Sequence, residues 1–289
     1  MEPQKFTTAE CQALEVLLDD SSASVRAALL AQFARHGHES VVFLRELTRR
    51  PNRVLALHAA WYLRELNFSD PVGEFRKFIR SLNYELETGA LLLSRTINAD
   101  VDVGACCAQL DTMAARCREL IAEPATAREK CRVLNRVLFH EHGLRGNAED
   151  YTDPLNSYLD QVLTRRKGIP ISLSIVYLLV AERVGLQLEA VALPGHFLVG
   201  CYEENVPFFI DAFNAGVFLT AGEVFILLRQ SSGHASIADL APTPVREVLC
   251  RCCRNLANHY TTANALDHAK LFAGFVAEFE STYERHAQS

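Results

Sequence analysis

Residues 168–184 read Gly168-Ile169-Pro170-Ile171-Ser172-Leu173-Ser174-Ile175-Val176-Tyr177-Leu178-Leu179-Val180-Ala181-Glu182-Arg183-Val184, and this stretch decides the fold. Pro170 suits the first turn of a helix, where its missing N–H would have no partner anyway. The residues after it are apolar on almost every face of a helical period, so this helix is expected to be buried all round. Gly185 stops it. The run is too short, and too interrupted by Ser172, Ser174 and Tyr177, for the ~18 unbroken apolar residues of a membrane span. Beyond it the period changes. Residues 188–193 and 197–202 alternate, and residues 207–213 are apolar around Asp211. Pro194-Gly195 and Glu203-Glu204-Asn205 are the turns between them. A buried helix followed by a three-stranded antiparallel meander predicts an α+β protein.

Outward from this centre the chain reads as helix, so the fold class is α+β, mostly α. Upstream, helical spacing covers residues 72–81, 86–96, 103–121 and 126–142. Gly143-Leu144-Arg145-Gly146-Asn147 is a loop, Asp153-Pro154-Leu155-Asn156-Ser157 is a turn, and residues 158–165 form a short helix. Downstream, residues 219–230 return to helix, residues 231–244 are a polar loop, and residues 245–260 and 263–286 form a helical hairpin. Near the start, Asp20-Ser21-Ser22-Ala23-Ser24-Val25-Arg26 and, about thirty residues later, Pro51-Asn52-Arg53-Val54 each open a helix rich in small residues. That spacing predicts a HEAT-like helical segment. Asn67-Phe68-Ser69-Asp70-Pro71 is the expected boundary. Three parts follow: residues 1–70, 71–230 and 231–289.

Composition bounds the function. The 289 residues are 49% hydrophobic and 22% charged, which is a folded chain. The net charge of −6 argues against a nucleic-acid partner, which requires a basic face. Met1-Glu2-Pro3-Gln4-Lys5 has no basic start followed by an apolar run, so a cytoplasmic location is expected. Nine cysteines is an odd number, and Cys106, Cys107, Cys250, Cys252 and Cys253 fall within helical patterns, where thiols pack as small apolar groups. Cys250 and Cys253 have the spacing of half a zinc site, but no second pair stands at the right distance. His140-Glu141-His142 points its histidines to different sides of a helix. Gly143 and Gly146 are not followed by the Lys-Ser/Thr of a phosphate loop. No metal and no cofactor is expected.

A set of short motifs in one order carries a resemblance. These are Gly146-Asn147, Tyr151, Asn156-Ser157-Tyr158-Leu159, Val162-Leu163, Arg166, Gly168-Ile169-Pro170-Ile171-Ser172-Leu173-Ser174, Gly195-His196-Phe197-Leu198 and Ile210-Asp211-Ala212-Phe213. They resemble the transglutaminase-like domain of the bacterial SirB family, which also occurs in a eukaryotic F-box protein of the ubiquitin-ligase type. The likeness covers roughly residues 75–229, and the C-terminal hairpin resembles the tetratricopeptide-like tail of bacterial members. The resemblance implies a fold distantly related to transglutaminases and papain-like proteases. In those enzymes a cysteine at the start of a buried helix attacks an acyl carbon, a histidine takes its proton, and an aspartate orients the imidazole. His196 and Asp211 fall where the histidine and aspartate belong. The helix from Pro170 contains no cysteine.

The site residues read accordingly. Asp211, set in an apolar strand, requires a partner, and His196 on the adjacent strand is the natural one. Ser172 is the hydroxyl placed to replace the missing thiol at the helix N-terminus, or else an ordinary capping serine. Asn147, Tyr151, Asn156 and Ser157 either contact a ligand or fix the loop by side-chain turns. Arg165-Arg166-Lys167 is a solvated run at a helix end. Two functions follow. The first is a non-catalytic protein-interaction or regulatory module, a pseudoenzyme with a protein or peptide partner. The second is a serine-dependent acyltransferase or hydrolase using Ser172, His196 and Asp211.

Overall fold

The computed structural model describes residues 6–20, 22–66, 70–233 and 235–287. They fall into two compact units, one within residues 1–70 and one within 71–289. Residues 1–5, Ser21 and the turn residues 67–69, which carried the leader and boundary readings, lie outside the described residues.

The first unit holds α1 (Thr8–Leu18), α2 (Ala23–His36), α3 (His38–Thr48) and α4 (Arg53–Glu65). Their starts are chemically marked. The Thr7 hydroxyl accepts the Glu10 N–H while the Glu10 carboxylate accepts the Thr7 N–H. The Asn52 side chain caps α4 by accepting from Val54 and Leu55. The helices close on a core of their own, built on Leu29, Phe33, Leu44, Leu47, Ala59 and Tyr62.

The second unit is the α+β part. It runs through α5 (Pro71–Ser81), α6 (Leu86–Arg95), α7 (Val103–Leu120) and α8 (Ala127–Asn135), which continues as one wider turn to Glu141. Then come β1 (Arg145–Gly146), α9 (Leu159–Arg165), β2 (Lys167–Gly168) and α10 (Pro170–Arg183). Every residue of α10 from Pro170 to Ala181 is buried, as an apolar period on all faces demands. Within that buried run the Tyr177 hydroxyl donates to the Cys131 carbonyl at 3.1 Å and to Asn135 Oδ1 at 2.9 Å.

Against α10 lies an antiparallel sheet of β3 (Glu189–Leu193), β4 (His196–Cys201), β5 (Phe208–Asp211) and β6 (Val217–Thr220), in that order. The sheet therefore has four strands, not three. Val217-Phe218-Leu219-Thr220 is too short to display a period, and Leu219, expected to open the next helix, lies in this strand. Thr220 ends the strand because its hydroxyl and the Glu223 carboxylate cap α11 (Ala221–Ser232) reciprocally. Residues 145–146 and 167–168, read as loop and helix end, pair in parallel as β1 and β2.

The chain ends in α12 (Val245–Thr262) and α13 (Leu266–Ala287), packed as a hairpin. Val248, Leu249, Cys250, Cys252, Cys253, Leu256, Phe272, Phe275 and Phe279 join the same core as α10. Residues 231–289 thus belong to the unit that contains the sheet. Arg76 and Arg80 of α5 lock α13 in place through the Glu278 carboxylate, at 2.7 and 2.5 Å.

Candidate functional site

His196 is the first residue of β4, and Asp211 is the last of β5. Val199 pairs with Ile210, so the register continued by one residue sets Leu198 across from Asp211. His196 is then the diagonal neighbour on the same face, within reach of a long side chain. Its Nε2–H donates to Asp211 Oδ2 at 2.8 Å. The carboxylate is otherwise saturated. Oδ1 accepts the N–H groups of Phe213 at 3.1 Å and Asn214 at 3.2 Å, and Oδ2 accepts the Asn214 amide at 2.8 Å. Asp211 is buried, with 4% of its surface exposed. Burial pushes its carboxyl up, but the hydrogen bonds and charge of His196 and the two bonds from Asn214 outweigh this, so it sits below its ordinary range. Asp211 thus pairs with the imidazole and caps the turn at Asn214 at once.

With Nε2 committed to the carboxylate, Nδ1 is the nitrogen left to accept a proton from a ligand. The histidine side chain is 24% exposed. It opens on a cleft of about 390 Å³ lined by Leu193, Pro194, Gly195, His196, Asp211, Asn214, Leu227, Leu228 and Gln230.

Ser172 is not brought to this cleft. Its hydroxyl accepts the Ile169 N–H at 3.0 Å and donates to the Asn156 carbonyl at 2.5 Å, with the Ile169 carbonyl also at 3.1 Å. It makes no hydrogen bond to His196, and it borders a separate, very small space beside Leu93, Ser157, Leu249 and Cys252. The one hydroxyl proton is spent on pinning the preceding loop to the start of α10.

Asn147 and Asn156 are buried and bonded to each other, Nδ2 to Oδ1 at 2.9 Å, and Asn156 also donates to the Asp150 carbonyl at 2.7 Å. Ser157 is buried, with no partner for its hydroxyl. Tyr151 is 40% exposed. Its ring lies edge-on to Phe213 at 6.0 Å and to His259 at 6.1 Å, so it alone of these four presents a large surface near the turn that follows Asp211.

None of the nine thiols is hydrogen-bonded to His196, and burial raises each of them. Cys106 and Cys250 are pushed up to about 11, and Cys117, Cys131 and Cys252 to about 12. Cys11, Cys107, Cys201 and Cys253 shift the same way for the same first cause. A nucleophilic cysteine requires the opposite shift. Among the described residues no group of His, Cys, Asp and Glu side chains is arranged to hold a metal ion.

Sequence reasoning missed Arg251 of α12. Its Nη2 donates to the carbonyls of Leu193 at 2.6 Å and His196 at 2.8 Å, clamping both ends of the Pro194-Gly195 turn. The guanidinium also lies 5.7 Å from the centre of the Phe197 ring. The only signal in the sequence is an arginine set between Leu249-Cys250 and Cys252-Cys253, which places it at the margin of a buried face but names no partner. Asn135 was missed as well: it donates to the Gly216 carbonyl at 2.6 Å and so fixes the turn after Asp211.

Residues 104–254 match the transglutaminase-like superfamily, starting later than the likeness read from the motifs and reaching into α12. The chain is 36% identical over 190 residues to a UPF0162 protein of Xylella fastidiosa, covering 64% of this chain and 68% of that one. It is 41% identical over 131 residues to F-box only protein 21 of Mus musculus, covering 43% of this chain and 20% of that one. A UPF0162 protein of Vibrio cholerae is 28% identical over 134 residues, 46% of this chain and 50% of its own. No solved structure matches. With the family matched across more than half its length, around a buried helix, a four-stranded sheet and a His–Asp pair, the chain belongs to the transglutaminase-like superfamily.

Proposed function

We propose that this chain is a non-catalytic protein-interaction or regulatory module, a pseudoenzyme on a transglutaminase-like core that uses the His196–Asp211 cleft to hold a peptide. One observation carries the reading: among the described residues no hydroxyl or thiol is hydrogen-bonded to His196. Acyl transfer on this scaffold needs that atom. The serine reading requires Ser172 to give its proton to His196, and that proton already goes to the Asn156 carbonyl. What remains is a polar end of His196, Asp211 and Asn214 beside an apolar wall of Leu193, Pro194 and Leu227, which suits a side chain with one polar terminus. The similarity of this segment to part of a protein named F-box only protein 21 supports a role beside other proteins. The helices of residues 1–70, read as HEAT-like, expose Val54 and Leu57 and supply a second surface for a protein. The C-terminal hairpin, read as tetratricopeptide-like, serves the core.

Incubation of the full chain with fluorophosphonate and iodoacetamide probes tests this. The expected result is no labelling that depends on His196. Labelling of Ser172 or of any cysteine that disappears in His196→Ala would establish a working nucleophile and end the proposal.

A further inference from the structure

We propose that Arg166, with His142 and Gln109, forms a site for the carboxylate of a small aliphatic acid, in a cavity that shares no lining residue with the His196–Asp211 cleft.

The cavity holds about 410 Å³ between α7, the turn after Glu141 and the end of α9. Met113, Leu144 and Leu163, all buried, form its apolar side. Gln109, His142, Thr164 and Arg166 form its polar side, and Arg166 is the charged group among them. Among the described residues Arg166 is bonded through its backbone alone, its N–H to the Val162 carbonyl at 2.9 Å and its carbonyl to the Arg145 N–H at 3.0 Å. The carboxylate of Glu141, next to His142 in the chain, is taken by Arg116 at 2.8 Å and Arg136 at 2.9 Å. The guanidinium of Arg166 therefore keeps its donors for a ligand.

The His142 ring and the Gln109 carboxamide likewise make no hydrogen bond among the described residues. Burial holds the imidazole below its ordinary value and the charge of Arg166 adds to this, so the ring is uncharged at neutral pH and donates through one nitrogen. Thr164 has given its proton to the Asp160 carbonyl at 2.8 Å and offers an anion nothing. One fixed positive charge beside two neutral donors matches a singly charged oxyanion, a carboxylate, better than a phosphate dianion. The apolar side suits a short branched chain attached to it.

The backbone supplies an independent argument. Arg166 caps α9 at φ +56° and ψ +27°, the left-handed conformation in which helices ordinarily end on glycine and which a Cβ disfavours. Matching the helix dipole does not require an arginine there. Arg165 already places a cation in the last turn, and it is paired with Asp153 at 2.5 Å. The chain thus keeps a long side chain in a conformation that favours none, and that side chain borders the cavity with its charge unpaired. Strain retained at such a position is the mark of a residue held for its side chain.

The test uses the full chain and four probes: 3-methylbutanoate, its neutral counterpart 3-methylbutanamide, N-acetyl-leucine as the carboxyl end of a peptide, and inorganic phosphate. The side-chain resonances of His142 and Arg166 are followed by NMR. The acid is expected to shift both saturably, with the amide about tenfold weaker or worse. Displacement of 3-methylbutanoate by N-acetyl-leucine supports a peptide end as the source of the carboxylate, and exclusion of N-acetyl-leucine supports a free acid. Arg166→Gln should abolish the preference for acid over amide, and Arg166→Lys should retain part of it. Arg166→Gly should abolish it too, with a thermal midpoint equal to or above that of the native chain, because the backbone relaxes. Equal affinity for acid and amide, tighter binding of phosphate than of the acid, or an unchanged preference in Arg166→Gln would overturn the proposal. So would a lowered midpoint in Arg166→Gly, which would assign the arginine to the fold. None of these outcomes bears on the missing nucleophile, which covalent labelling reports separately.

Discussion

Asp211 concentrates the energetics of the site in one carboxylate. It accepts four hydrogen bonds while buried, so its removal strands His196, Asn214 and two backbone N–H groups. Asp211→Ala is expected to cost about 3 kcal/mol in urea unfolding near neutral pH. The pH dependence has a definite sign. A carboxyl held below its unfolded value adds stability that is complete above that value and is lost as pH falls through the lower, folded one. The gap between the native chain and Asp211→Ala should therefore narrow on acidification below the ordinary carboxylate range. A constant gap would mean that the charge contributes nothing. Ser172 makes a contrasting case, because its worth is structural. Ser172→Ala leaves the Ile169 N–H and the Asn156 carbonyl without their side-chain partner, and should lower stability by about 1–3 kcal/mol in the same measurement.

At the scale of elements, the site depends on what grips its turns. The turn from β5 to β6 passes through Gly216 at φ +77°, a conformation that glycine adopts freely, and an added Cβ would overlap the Asn135 carboxamide. Gly216→Ala must strain the backbone and break the link from Asn135 to Tyr177. It is expected to lower the thermal midpoint by several degrees, on the order of 1–3 kcal/mol, while Gly233→Ala, with open space around its Cβ, loses only the backbone term. Equal effects of the two substitutions would show that the Asn135 contact is not needed. The turn between β3 and β4 is held from outside the sheet, by Arg251 of α12. A helix remote in sequence thereby sets the backbone of the histidine.

At the scale of the molecule, each of the two compact units has a main core of its own, which implies separate stabilities. One is built on Phe33, Leu44 and Tyr62, and the other on α10 with both C-terminal helices. A fragment of residues 71–289 should unfold in one cooperative transition by circular dichroism and calorimetry. A fragment of residues 71–230 should not, because it lacks Val248, Leu249, Leu256, Phe272, Phe275 and Phe279 from its own core. Cooperative unfolding of the shorter fragment would restore the three-part division read from helical spacing and turn residues. None of the described helices is long and apolar enough to cross a membrane.

What the sequence by itself determined is the class of the fold and the grammar of its centre. An all-round apolar helix, the switch to alternation after Gly185, and an aspartate inside an apolar strand are local patterns, and burial of apolar surface acts on them in the same way wherever the chain goes. Its limits are equally physical. Val217–Thr220 is shorter than the period that would reveal it, and the two-residue pair β1–β2 has no period at all. Only the tertiary structure decided where the one proton of Ser172 goes, that the C-terminal hairpin completes the core, and that Arg251 meets the carbonyls of Leu193 and His196. Those outcomes depend on groups far apart in the chain competing for a few donors and acceptors. A hydrogen bond is won at a separation of about 3 Å, a distance that residue spacing does not encode.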